Sequence, residues 1–92
     1  MIKGFKHKAL RRLFEKGEYK GLNPDHIERL ENILLMLSVA ESLEDLNLPS
    51  LRLHALKGAL KGFHAVTVRA NWRIVFRFDK GNVFDVDVVD YH

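Results

Sequence analysis

The amino-acid sequence predicts an α+β fold in which two N-terminal helices pack on one face of a small, mainly antiparallel sheet, in the order β-α-α-β-β-β-β. Apolar residues recur at three- and four-residue spacing up to about residue 41, as in helices, and alternate with polar residues after Pro49, as in strands. A run of strands after a run of helices favours a sheet with helices on one side. At 92 residues, the chain is expected to form one domain over residues 1–92.

The first half of the chain supplies a short strand and two helices. Residues 2–5 alternate between apolar and other side chains, which predicts a strand. Residues 7–16 place leucine and phenylalanine on one helical face, and Gly17 ends that helix. Asn23 before Pro24 is a typical helix start, because the side chain caps the first turn and proline suits its first position. This second helix should run to about Glu41.

The second half supplies the rest of the sheet. After Pro49 the apolar period changes to two, so residues 51–54 predict a strand. A basic, glycine-punctuated loop follows over residues 57–62. Three further strands are predicted, at residues 63–69, 72–78 and 83–89, and they should form an antiparallel meander.

Composition limits the classes of function. The net charge of +3 and the pI near 9.4 favour an anionic partner, of which nucleic acid is the commonest. The absence of cysteine excludes disulfides, thiolate nucleophiles and cysteine-based zinc sites. The longest apolar stretch is far shorter than the ~20 residues that span a bilayer, and no signal peptide is expected. We therefore expect a cytoplasmic protein without membrane contact.

Matching apolar faces gives a register for the strands, because a one-residue slip would turn every side chain over. Pairing Val68 with Ile74 in the first hairpin sets Arg69 directly opposite Arg73. Pairing Ile74 with Val88 in the second hairpin sets residue 73 against 89 and residue 77 against 85. The sheet face away from the helices, here the outer face, would be uncovered and would carry His54, Arg69, Arg73 and Tyr91.

The two arginines on this face suggest an anion site. Like charges directly opposite each other destabilise a sheet by ~0.2–1 kcal/mol, so their presence indicates a missing anion. Guanidinium groups match the geometry of phosphate. In the alternative, both arginines extend into water or pair with Asp87 or a helix carboxylate.

The last three residues of the sequence, Asp90-Tyr91-His92, combine an acid, a phenol and an imidazole. Such groups suit general acid–base catalysis. Alternatively, Tyr91 caps the sheet edge and His92 has no role. The five histidines form no pattern typical of a metal site, so no metal is expected. Together with two arginines, these groups suffice to activate a ribose 2′-hydroxyl and stabilise a pentacoordinate phosphate without a cofactor.

Several segments resemble one known family over essentially the whole chain. They are Ile2-Lys-Gly-Phe5 with Lys6-His7-Lys8, Leu13-Phe-Glu-Lys-Gly17, Leu53-His-Ala-Leu-Lys-Gly58, Thr67-Val-Arg-Ala-Asn-Trp-Arg-Ile74 and Asp90-Tyr91-His92. The chain resembles toxins of the RelE/HigB superfamily, in the HigB or "killer protein" branch. Its Ala59-Leu60 loop is more apolar than that resemblance leads one to expect.

The resemblance implies a ribosome-dependent mRNA endonuclease that cuts mRNA in the A site and pairs with a helix-turn-helix, HigA-like antitoxin. It implies a catalytic group of His54, Asp90, Tyr91 and His92, with Arg69 and Arg73 on the scissile phosphate and Lys57 on phosphate or ribosomal RNA. His92 or His54 would transfer the proton. Two other classes stay open: a non-catalytic RNA- or ribosome-binding module, and an interaction protein that only binds its antitoxin.

Overall fold

The computed structural model describes residues 1–91, which form two α-helices and a four-stranded antiparallel sheet. The predicted α+β class is confirmed. The strands lie in the order in which they occur along the chain. The helices are α1 (Lys8–Lys16) and α2 (Ile27–Val39), and the strands are β1 (His54–Ala55), β2 (Phe63–Arg69), β3 (Trp72–Asp79) and β4 (Asn82–Asp90).

Helix α1 has the predicted bounds within one residue. His7 precedes it, and its Nδ1 accepts a hydrogen bond from the backbone N–H of Leu10 at 3.3 Å. Gly17 ends the helix in the left-handed region at φ 69°, where its N–H donates to the carbonyls of Arg12 and Leu13. A glycine is suited to this position because it has no Cβ to strain.

Helix α2 ends about two residues earlier than predicted. Its start is as expected, since the Asn23 side chain accepts from the N–H of Asp25 at 2.9 Å and a 3₁₀ turn leads into the helix. At the other end, the Asp45 carboxylate accepts from the N–H groups of Glu41 and Ser42. Asp45 belongs to the capping box of the next 3₁₀ turn. Because these two amides donate to its carboxylate, they do not continue the hydrogen bonds of α2.

Both of the shorter predicted strands are smaller than expected. Residues 2–5 form only two isolated parallel bridges to β4, because Asp85 adopts φ 55° between them and breaks the ladder there. In the segment over residues 51–54, Arg52 adopts φ 50° and turns the chain, so that regular pairing begins at His54. The predicted strand bounds for these two segments were wrong.

The predicted register of the first hairpin was wrong by two residues. Val66, not Val68, pairs with Ile74, and Thr67 pairs with Arg73. A two-residue turn makes Arg69 and Trp72 the closing pair, so Val68 becomes an extra residue in a β-bulge. A shift of two residues keeps every apolar side chain on its own face, so the apolar pattern could not detect it.

The register of the second hairpin was predicted correctly at its open end. Ile74 pairs with Val88 as expected. Beyond it a bulge shifts the register, and Arg77 pairs with Phe84. The guanidinium of Arg77 nevertheless contacts the carboxylate of Asp85, with Nε and Oδ2 2.7 Å apart.

The sheet is packed on both faces. On the helix side, α1 and α2 cover the main core, in which Val66, Ile74 and Phe76 are fully buried. On the outer face, Ala65 and Val75 are buried in a second, smaller apolar cluster. The prediction of an uncovered outer face was therefore wrong for this part of the sheet. The second cluster also includes Leu56, Leu60, Phe63 and Val89.

This second cluster explains the apolar loop between β1 and β2. Leu60, at the end of the 3₁₀ turn Gly58–Leu60, packs against the buried residues of the outer face. Leu60 is partly buried there, and each Å² of apolar surface removed from water stabilises the fold by roughly 25 cal/mol. Leu60 thus holds the loop on the sheet, while Ala59 and the neighbouring Lys57 and Lys61 stay exposed.

Arg29 on α2 forms hydrogen bonds both to the bulge of β2 and to the segment that precedes β1. Its Nε donates to the carbonyl of Val68 at 3.3 Å, and its Nη2 donates to Thr67 at 3.0 Å and Ser50 at 2.6 Å. The backbone N–H of Thr67 also donates to Leu51 at 2.7 Å. One half-buried guanidinium therefore fixes two segments that lead to the outer face.

We predict that Arg29→Met lowers the free energy of unfolding by about 2 kcal/mol, because charged hydrogen bonds contribute ~1.5–3 kcal/mol and three carbonyls lose their donor. Urea denaturation measures this change. Arg11→Met is the matched control, since Arg11 forms a half-exposed ion pair with Glu15 at 4.0 Å, and such pairs contribute ~0–1 kcal/mol. Equal losses in the two variants would contradict the role assigned to Arg29.

Candidate RNA-cleavage site

The outer face carries two rows of directly paired residues near the turn between β2 and β3. The first row is Thr67, Arg73 and Val89, from β2, β3 and β4. The second row, one pleat away, runs across all four strands and comprises His54, Ala65, Val75 and Asp87. Paired residues in an antiparallel sheet share a face, so Arg73 and His54 lie on the same side of the sheet.

Arg73 is the central charged group of this face. Its Nη1 donates to the carbonyls of Ala70 and Trp72, so the guanidinium is folded towards the β2–β3 turn. Its Nε is buried and has no hydrogen-bond partner among residues 1–91. Ala70 adopts φ 50°, a strained conformation for a residue with a Cβ. Arg73 thus bonds the β2–β3 turn through Nη1, while its Nε–H remains available as a donor.

Thr67 faces Arg73 directly across the strands, and its hydroxyl is also buried with no partner in the described part of the chain. Buried polar atoms without partners are uncommon in folded proteins, and each one costs stability. Here two of them, Thr67 Oγ1 and Arg73 Nε, belong to neighbouring side chains. The predicted site did not include Thr67.

His54 lies on β1 at the exposed edge of the sheet. Its Nδ1 is 3.1 Å from the carbonyl of Arg52, which leaves Nε2 as the outward ring nitrogen. Ideal strand spacings put its Cα about 12 Å from that of Arg73, within reach of one phosphodiester between the two side chains. Lys57 is exposed three residues further on, at the start of the 3₁₀ turn Gly58–Leu60.

The segment after β4 is attached to the β2–β3 turn. The backbone N–H of Tyr91 donates to the carbonyl of Asn71 at 2.7 Å, and the Tyr91 side chain is 42% exposed. Ideal spacing puts the Tyr91 Cα about 8 Å from that of Arg73, on the side away from His54. Asp90 pairs with Trp72 and therefore belongs to the other face of the sheet. His92 lies outside the described residues.

Arg69 does not lie where it was predicted. It pairs with Trp72, not with Arg73, and it lines a cleft with Asp25 and Glu28 at the start of α2. The bulge at Val68 supplies the physical reason, because one extra residue reverses the alternation of the strand. The predicted facing pair of arginines was therefore wrong, while a role of Arg69 in phosphate binding stays a prediction.

The pKa of His64, on β2, is lower than that of a free histidine. Burial lowers this pKa below its ordinary value of 6.5, and the nearby charge of His54 lowers it further. Its Nδ1 is buried without a partner, and its ring stacks on Phe76 with centroids 6.1 Å apart. It belongs to the helix side of the sheet and is held neutral there.

We predict that this histidine makes the fold less stable in acid. Below pH 6.5 the unfolded chain binds a proton that folded His64 resists, so stability is complete above that pH and falls as the pH drops towards the folded pKa. Urea denaturation at about pH 5.5 and 7.5 should show a larger loss for the wild type than for His64→Gln. An equal loss in both would assign the acid sensitivity to other groups.

Positive charge is concentrated away from this face. The first twenty residues contain seven lysines and arginines but only two acidic residues, whereas the rest of the chain contains eight and ten. The excess therefore lies on α1 and its flanks. The basic character of the sequence consequently does not by itself locate the arginine site.

Residues 1–91 contain neither a candidate metal-ion cluster nor a candidate membrane-spanning helix. No group of three or more histidine or acidic side chains is arranged to hold a metal ion there. Within the same range, no helix is both long and apolar enough to cross a bilayer.

Comparison with known proteins decides the family. A model of the family described as "RelE-like toxin of type II toxin-antitoxin system HigB" matches residues 3–92. The chain belongs to the HigB-like toxin family. It is 42% identical to a protein named endoribonuclease HigB from Proteus vulgaris over 92 residues, which is the full length of both. The resemblance inferred from the sequence segments is confirmed.

Two crystal structures share the fold of this HigB-like chain. One is a mutant of YafQ from E. coli, with a TM-score of 0.65, 16% identity, and coverage of 98% of this chain and 91% of that one. The other is a copper-bound mutant toxin from Helicobacter pylori, with a TM-score of 0.61, 20% identity, and coverage of 98% and 94%. At these identities the likeness establishes the fold alone.

Sequence reasoning missed two residues at or beside the candidate site. Thr67 is a single polar residue among β-branched neighbours, and only the true register shows that it faces Arg73. Arg29 lies on the exposed rim of a helix pattern, where an arginine carries no signal of its own. The sequence did contain a signal for the correct register. The two residues between Arg69 and Trp72 match the length of a tight hairpin turn, which would make these two residues the closing pair.

Proposed function

We propose that this chain is an endoribonuclease toxin that cuts mRNA in the ribosomal A site. The observation that carries the proposal is the position of Arg73 between His54 on one side and Tyr91 on the other. Membership of the HigB-like family and the name of the Proteus vulgaris relative support it. The substrate would be a phosphodiester bound over Arg73 on the outer face.

The proposed reaction is attack of a ribose 2′-oxygen on the adjacent phosphorus. The 2′-O–P bond forms, the P–O5′ bond breaks, and a 2′,3′-cyclic phosphate remains. One group takes the 2′-hydroxyl proton and another gives a proton to the 5′-oxygen. Attacking and leaving oxygens stand on opposite sides of the phosphorus in such a displacement. Groups on opposite sides of Arg73 fit this requirement.

In this proposal Arg73 stabilises the charge that develops on the phosphate oxygens. His54 serves one proton transfer, and Tyr91 with His92 serves the other or stacks on a base. Asp90, from the strand end that leads to His92, orients an imidazole. Lys57 and Arg69 contact phosphates further along the RNA chain.

The proposed partners are mRNA on the ribosome, ribosomal RNA and a helix-turn-helix, HigA-like antitoxin, all in the cytoplasm. Family membership implies an antitoxin. The ribosome would hold the RNA in the reactive geometry, a contribution of ~7–11 kcal/mol in well-oriented reactions. The charge on α1 and its flanks suits contact with RNA phosphates, and such contacts weaken steeply with salt.

We predict that purified protein cleaves naked mRNA at least about 100-fold more slowly than mRNA on translating ribosomes, because the isolated chain provides few groups to position its substrate. Primer extension locates the cuts and gives both rates. Equal rates on the two substrates would contradict ribosome dependence.

Expression in a bacterium tests the catalytic claim itself. Wild type should arrest growth, and His92→Ala should not. Equal toxicity of the two would favour the non-catalytic alternative, in which the chain only binds RNA or the ribosome. In that alternative Arg73→Ala weakens ribosome association, while His92→Ala leaves every activity intact.

A further inference from the structure

The unpartnered hydroxyl of Thr67 is the feature of the outer face that neither the fold nor the proposed mechanism uses. Its oxygen is buried, as is the unpartnered Nε of Arg73 directly across the strands. A buried polar group without a partner costs ~1–3 kcal/mol, and valine has nearly the same shape as threonine without that cost. The folded chain by itself gives no reason for threonine at this position.

Both backbone polar groups of Thr67 are bonded to residues outside the β2–β3 hairpin. Its carbonyl accepts from Arg29 Nη2 at 3.0 Å, and its N–H donates to the carbonyl of Leu51 at 2.7 Å. Both backbone groups are thus tied to segments outside the β2–β3 hairpin. A fixed backbone fixes the direction of a β-branched side chain, which has few rotamers.

We propose that Thr67 Oγ1 and Arg73 Nε together form a subsite for one non-bridging oxygen of an RNA phosphate. The hydroxyl and the Nε–H both donate to that oxygen. The Arg73 guanidinium lies folded onto the carbonyls of Ala70 and Trp72. In the RNA complex the guanidinium turns from these carbonyls to the phosphate. Thr67 Oγ1 and Arg73 Nε can then both donate to the phosphate oxygen. Side-chain rotation of this kind is fast compared with turnover.

The inference rests on the proposed function and adds a residue to it. Thr67 becomes a substrate-contacting residue that acts with Arg73 on the charge of the transition state. A donor that strengthens its bond as charge develops raises kcat rather than lowering KM. A residue retained only for folding would have the opposite signature, because its replacement lowers stability.

Thr67→Val separates these roles. We expect kcat for mRNA on translating ribosomes to fall at least about tenfold with KM unchanged, and Tm to rise by about 5 °C because the unpartnered hydroxyl is gone. Thr67→Ser keeps the hydroxyl and should keep most of kcat. Ser38→Ala is the matched control, since it removes a hydroxyl that bonds only the carbonyl of Leu35 on α2, and it should leave kcat unchanged.

Three results would overturn the proposal: a kcat of Thr67→Val equal to that of wild type, a fall in its Tm, or no recovery in Thr67→Ser. If wild type itself fails to cleave, the proposed function falls and binding decides the subsite separately. An RNA oligonucleotide with a 2′-deoxy scissile position should shift the Arg73 Nε–H resonance in wild type, and it should bind Thr67→Val about as tightly as wild type, because the subsite acts mainly in the transition state. An unshifted resonance would remove the subsite.

Discussion

Replacing Arg73 with alanine should lower the rate of mRNA cleavage on translating ribosomes about 100- to 1,000-fold, since the loss of one donor to a developing oxyanion costs that much. Arg73 is the sole arginine of β2 and β3 that the structure, over residues 1–91, places between His54 and Tyr91 on the outer face. Arg73→Lys should recover only part of the rate, because an ammonium group lacks the planar fork that matches phosphate.

Single-turnover cleavage with saturating ribosomes measures this loss, and thermal unfolding checks that each variant is folded. Arg77→Ala is the matched control on the same strand, since Arg77 is committed to Asp85 at 2.7 Å and lies over the ring of Phe84. Its cleavage rate should stay within about twofold of wild type. Equal losses of cleavage rate in the two variants would show that cleavage depends on the total positive charge of β3 and not on Arg73 in particular.

Local signals in the sequence sufficed for the helices. The Asn23-Pro24 start and the Gly17 end depend on contacts within one turn, so the identity of a few neighbouring residues determines them. The end of α2 depended on Asp45, which lies beyond the helix and accepts from two amides that a continued helix would use. The spacing of apolar residues does not show whether an amide bonds within the helix or to a side chain beyond it.

The site could be predicted only in part, because register and bulges are tertiary properties. The apolar alternation correctly put Arg73 on the outer face with Val89 beside it. It could not find the bulge at Val68, which carries Arg69 to the helix side, because shifts of two residues preserve the apolar faces. Thr67 entered the site through the same shift. A single bulge thus exchanged one predicted site residue for an unpredicted one.

His54→Ala should lower the rate of cleavage about 100- to 10,000-fold if the imidazole transfers a proton in the rate-limiting step. His54 stands on β1, on the opposite side of Arg73 from Tyr91, so its loss leaves one of the two reacting oxygens without a proton-transfer group. Its backbone pairing with Ala65 and its exposed side chain mean that alanine should change the fold little. The same rate assay on ribosomes gives the result.

Imidazole in the buffer then distinguishes chemistry from binding. An alanine variant that has lost only a proton-transfer group regains rate as free imidazole occupies the vacated space, whereas one that has lost an RNA contact does not. His64→Gln is the matched control, since that ring stacks on Phe76 on the helix side. Rescue of His54→Ala but not of His92→Ala would assign the transfer to β1, and the reverse pattern would assign it to the segment after β4. Rescue of neither, with both variants slow, would reduce the two histidines to substrate-binding groups and leave Arg73 as the centre of catalysis.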